Sequence, residues 1–151
     1  MKKNNSSFAA FTRLHSTILL AQLVFTIITL FLAGTERLPV AGEDVSRILQ
    51  VLAIVLSTAS IFIGFSLFKK TVLRIRSQSS PGVQKMAQYR SACMRWWTLL
   101  VAPGFFAALC YVLTNNFSFF ILSCMHIVIL FLFRPRKDNI VLLLSLKPND
   151  I

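Results

Sequence analysis

Residues 96–133 read WWTLLVAPGFFAALCYVLTNNFSFFILSCMHIVILFLF, 38 positions without a charged side chain. As one helix, rising about 1.5 Å per residue, this stretch would extend about 57 Å, nearly twice a hydrocarbon core of about 30 Å. It has to fold back on itself. The one polar break is Thr114-Asn115-Asn116, where asparagine tolerates a left-handed backbone and bonds its own chain locally. A break there predicts two spans, 96–114 and 117–133, joined by almost no loop.

Working outward, two more charge-free runs cover 14–35 and 48–68. Each fits one crossing, over 16–33 and 48–68. The chain has 151 residues, of which 56% are hydrophobic and only 14% charged. A soluble domain carries about a quarter charged residues and less than half apolar, so the sequence predicts an all-α, polytopic membrane protein, a four-transmembrane-helix bundle in a single domain over 1–151. The first run is read as a retained span. Its apolar stretch is long for a signal sequence, and Phe31 spoils the small-residue pattern before Ala33.

The cations are segregated. Lys2, Lys3 and Arg13 lie before the first run, and Lys69, Lys70, Arg74, Arg76, Lys85, Arg90 and Arg95 between the second and third. Arg134, Arg136, Lys137 and Lys147 follow the fourth, while the opposite side has only Arg37 and Arg47, beside Glu36, Glu43 and Asp44. The positive-inside rule then places both termini and the central segment in the cytoplasm. Trp96, Trp97 and Tyr111 suit an interfacial belt. Phe8, Phe11 and Leu14 suggest an interfacial lead-in to the first span.

Helical spacing continues past the second span through Val72, Leu73 and Ile75, and resumes at Val83, Met86, Tyr89, Ala92 and Cys93. Segment 69–95 is therefore expected to project as an antiparallel helical pair, turning at Ser77-Gln78-Ser79-Ser80, with Ser80 as N-cap and Pro81 in the first helical position. Pro135 is expected to end the fourth span, or to start a short amphipathic helix that runs through 140–146. A loose parallel between 13–21 (RLHSTILLA) and 95–102 (RWWTLLVA) suggests duplication of a two-helix unit.

Lipid removes the hydrophobic incentive for pairing helices, so small residues and buried polar contacts must supply it. Ala53, Ser57, Ser60 and Gly64 fall on one stripe of the second span; Gln22, Thr26, Thr29 and Ala33 fall on one of the first. These two stripes are expected to pair, which gives Gln22 a hydrogen-bond partner. Gln22 is thus read as a bundle-stabilising residue, ahead of a solute ligand. Pro103-Gly104 is expected to kink the third span, because proline removes a backbone bond and crowds the carbonyl of Leu99.

Chemistry is sparse. No acidic residue lies within a span, which counts against proton- or cation-coupled carriers. Asp138 and Asp150 are the only acids on the basic side, too few for two-metal phosphotransfer. Cys93, Cys110 and Cys124 include no CxxC pair and read as apolar packing residues. His15 and His126 fall at different depths, which disfavours a haem between them. His126 is read as neutral and bonded to a serine or threonine, with a proton relay as the functional alternative. No cofactor or metal is expected, and nucleic-acid binding would need a basic face free of the membrane. The expected partners are the bilayer, with its anionic headgroups, and a protein partner or further copies of the chain.

The stretch 89–120 (YRSACMRWWTLLVAPGFFAALCYVLTNNFSFF) and the tail 133–146 (FRPRKDNIVLLLSL) resemble a family of small four-helix integral membrane proteins of Gram-negative bacteria whose function is not known. Arg90-Ser91, Pro103, Leu113-Thr114-Asn115 and Arg134-Pro135 carry the resemblance. Where that family often has Glu-Gly-Pro in the third span, this chain has Val101-Ala102-Pro103, so no role of the acid transfers. The resemblance implies the fold and no activity. The reading is a non-enzymatic accessory or scaffold subunit; the competing reading is a small transporter or pore formed by oligomerisation, with Gln22 and His126 as its polar positions.

Overall fold

The computed structural model describes residues 2–33 and 41–146, with side chains from Phe8 onward. The cations and acids at Glu36, Arg37, Lys147 and Asp150, and the side chains of Lys2 and Lys3, lie outside the described residues. Five helices account for nearly all of the rest: α1 (Lys2–Ala33), α2 (Glu43–Ser77), α3 (Gly82–Thr114), α4 (Phe117–Leu132) and α5 (Lys137–Leu144). Three of them, α1, α2 and α3, are long and apolar enough to cross a membrane. The count is four if α4 and α5, bent by 73° at the intervening break, are taken as one span.

The boundaries follow local chemistry. Asn115 ends α3 in the left-handed region, with φ of 51°. Its N–H donates to Tyr111 O at 2.8 Å, and the Asn116 side chain accepts from Ser118 N at 3.0 Å to cap α4. One asparagine stops a helix and the next starts one, as expected from the sequence. The start of α3 differs by one residue. Pro81, with ψ of 147°, is itself the N-cap, and its carbonyl accepts from Gln84 N and Lys85 N. Proline at this position needs no donor, so Ser80 is left outside the helix. α1 runs unbroken through 8–14, where an interfacial lead-in was expected.

α3 is the centre of the bundle. Half of its most apolar 18-residue window is buried, against 17% for α1 and α2. α1 lies along one side of it, α2 along another, and α4 packs against both α3 and α1. Small residues let the backbones approach: Ala107 and Ala108 are completely buried on α3, and Gly64 of α2 sits under Trp96. A Cβ on Gly64 would fall 2.5 Å from Trp96 Cζ3 and 3.3 Å from Leu99 Cδ1.

The expected pairing of the first two helices is not what forms. The stripe of Ala53, Ser57 and Gly64 is buried, with Ser60 half-buried beside it, but α1 does not cover it: Ala53 clusters with Cys110 and Tyr111 of α3 and Phe119 of α4. The α1 stripe faces α3 and α4. Spacing identifies which face of a helix is buried and leaves its partner open. α1 therefore has no contact with α2 comparable to that of α4 with α3, and a symmetric arrangement of two duplicated hairpins does not appear among the described residues.

At the cation-rich end the helices outlast the charge-free runs and pack into a second core. Val72 and Ile75 of α2, Met86, Tyr89 and Cys93 of α3, Phe11 of α1, and Ile140 and Leu144 of α5 are all buried there. Phe11 stacks on Trp97, with centroids 5.1 Å apart, and Arg90 lies over the Phe11 ring at 5.7 Å. Arg76 Nε donates to Ser145 Oγ at 3.1 Å, tying the end of α2 to that of α5. At the other end, Arg47 pairs with Glu43 at 2.6 Å on an exposed helix face.

Candidate functional site

The face of α1 that meets α3 and α4 is polar. His15, Gln22, Thr26 and Thr29, spaced 7, 4 and 3 residues apart along one side of the helix, are each no more than 2% exposed. Ser123 and His126 of α4 are wholly buried opposite them. The helices run antiparallel, and three levels of contact fix their register. Thr26 Oγ1 and Ser123 Oγ share a hydrogen bond of 2.8 Å. His15 Nε2 donates to Leu130 O at 3.0 Å, where the carbonyl can only accept. Between those levels, Gln22 and His126 both border Gly104 of α3.

Gly104 makes the middle level possible. A Cβ built there would clash with Gln22 Nε2 and lie 3.1 Å from both Gln22 Cδ and His126 Cβ. The glycine is a slot for an amide, and α3 continues through Pro103 as one helix. His126 Nδ1 donates to its own Leu122 O at 2.9 Å. That replaces the serine or threonine partner expected from the sequence, because a helical carbonyl four residues back is already within reach. In the neutral imidazole this bond puts the proton on Nδ1 and the lone pair on Nε2.

The level at Gly104 is under-satisfied. Gln22 Nε2 and Oε1 and His126 Nε2 are buried without a hydrogen-bond partner, as is His15 Nδ1 nearer the cation-rich end. An unpaired buried polar group costs about 1–3 kcal/mol. Chemically, the seam presents an amide donor, an amide acceptor and two imidazole lone pairs, able to bind a small polar group or take up a proton. Among the described residues no three His, Cys, Asp or Glu side chains gather into a group that could hold a metal ion. Cys93, Cys110 and Cys124 are free thiols.

Gln22 and His126 were singled out by sequence, and the structure places them at one level. Ala53 and Gly64 face α3 instead, and Ser57 Oγ on the same stripe is buried without a partner, with Ser60 half-buried. His15, set near the membrane surface by its proximity to Arg13, is drawn fully into the seam and meets Trp97 edge-on with centroids 4.8 Å apart. Its position seven residues before Gln22, two helical turns on the same face, is the signal that would have found it.

Comparison with known protein families, curated proteins and solved structures finds no match.

Proposed function

We propose that the chain is a multi-pass protein of the bacterial inner membrane, with four crossings and both termini cytoplasmic, and that it acts as a non-enzymatic accessory or scaffold subunit. The carrying observation is the closure of the polar seam. Gln22 and His126 have no solvent-exposed surface, so within one chain they line a packed contact between helices and no open lumen. α4, at 16 residues, is about 24 Å long, and a helix this short crosses by local thinning of the bilayer or by burial among its neighbours. On the cation-rich side all five helices contribute buried residues to the second core, which offers a cytoplasmic platform for a partner to dock on.

The competing reading, a transporter or pore, is favoured by the unpaired polar atoms of Gln22 and His126. Native mass spectrometry of the protein gently extracted from its own membrane separates the two. A stoichiometric heteromer supports the subunit reading; a symmetric homo-oligomer with a bound solute overturns it in favour of transport.

A further inference from the structure

The cation-rich end carries a groove of about 470 Å³ where the end of α2 meets the corner between α4 and α5. Its floor is apolar and aromatic, with Phe65, Phe68, Tyr89, Leu132 and Leu143 among the lining residues, and its rim carries Lys69, Arg134 and Arg136. No lining residue is acidic. Among the described residues no acidic side chain pairs with Lys69, Arg134 or Arg136.

The placement of the charges is specific. Lys69 directly follows the charge-free run that ends at Phe68, and Arg134 directly follows the run that ends at Phe133. Two separate spans therefore deliver a cation to the same groove at the level where apolar sequence gives way to charge. Pro135 turns the chain there and Arg136, the N-cap of α5, adds the third. The first turn of α5 also borders the groove through Asn139, and no side chain caps that helix; a helix start favours an anion. Asp138 lies in the same turn, exposed and outside the lining.

We infer that this groove is a binding site for one anionic diacyl phospholipid, its phosphodiester held by Lys69, Arg134 and Arg136 and the upper part of an acyl chain laid along Phe65, Phe68 and Leu132. Charge complementarity selects an anion, since guanidinium groups pair with phosphate in a bidentate manner. The apolar floor selects a lipid over a free phosphate. The inference rests on the membrane reading and on neither functional role proposed for the bundle.

The test is native mass spectrometry of the purified full chain in detergent, equilibrated with equal amounts of phosphatidylglycerol and phosphatidylcholine. The wild type is expected to retain one phosphatidylglycerol in preference to phosphatidylcholine. Lys69→Gln/Arg134→Gln/Arg136→Gln is expected to lose that retention by about tenfold or more, given the attraction of each surface cation to anionic lipid. Lys70→Gln/Arg74→Gln/Arg95→Gln, which removes the same charge at the same end but outside the groove, is expected to keep it. Leu143→Trp, which fills the floor and leaves the charge unchanged, is expected to displace the lipid. Equal loss in the two triple variants, or loss in neither, overturns the site, as does displacement of the lipid by soluble glycerol phosphate. Release of the wild type from native membranes by alkaline carbonate would instead overturn the membrane reading, and is scored separately.

Discussion

The side-chain amide of Gln22 occupies the space that a Cβ would fill on Gly104. A glutamine on α1 and a glycine on α3 are thereby one structural unit, with His126 of α4 closing it from the third side. This contact explains how a helix with a polar face packs against the most buried helix of the bundle.

Gly104→Ala should destabilise the bundle by about 1–3 kcal/mol, the usual cost of overpacking. The amide has to leave its slot and His126 stands behind it. Gln22→Ala should relieve most of that cost in the double variant, while Gln22→Leu alone should be close to neutral, since it removes a buried amide that has no partner. Unfolding measurements on the two single variants and the pair read the coupling directly. Additive effects would show that the two residues do not share the space.

Gly64→Ala should drive the substituted helix against Trp96, an indole only 2% exposed. A lowered unfolding temperature in detergent and a shift in tryptophan emission are the expected signs. Ser60→Ala, on the same stripe but half-buried, should change neither by more than a small amount.

Thr26→Val and Ser123→Ala each remove one partner of the 2.8 Å hydrogen bond between α1 and α4. Hydrogen bonds between membrane helices contribute about 0.6 kcal/mol on average and rarely more than about 1.7. A double-mutant cycle on this pair should return a coupling in that range, and a coupling of zero would mean that the hydroxyls do not meet.

Cys93, outside the charge-free runs, is buried beside Tyr89 in the core at the cation-rich end, and burial pushes its thiol up to about 12. Near pH 8 only about one molecule in 10⁴ then carries the nucleophilic thiolate. Maleimide labelling of a variant retaining Cys93 alone should be negligible in the folded protein at pH 8 and complete after denaturation. Rapid labelling of the folded form would place this thiol at the surface.

Much of the architecture can be read from the sequence. Charge-free runs locate the long helices, Asn115 and Asn116 locate the turn, and Pro135 anticipates α5. The helix neighbours cannot be read the same way. Gln22-Thr26-Thr29 and Ala53-Ser57-Gly64 look like matching halves of one contact, yet each packs on α3. A pattern of small and polar residues reports burial, and several arrangements bury the same faces. The role of Gly104 was hidden for a similar reason: next to Pro103 it reads as part of a kink, and only the position of Gln22 reveals the slot. The lone pairs of His15 and His126 follow from hydrogen bonds that no spacing rule supplies.

The arrangement of α1 against α4 and α3, and not against α2, is the centre of the account, and disulfide trapping in intact membranes tests it most directly. Cys93, Cys110 and Cys124 are first replaced by serine or alanine, and a protease site is inserted in the turn between α2 and α3. The pair Thr26→Cys/Ser123→Cys should then form a disulfide on mild oxidation and hold the cleaved fragments together, while Gln22→Cys/Ser57→Cys should not. Cross-linking of the second pair without the first would contradict the account and restore the pairing of α1 with α2.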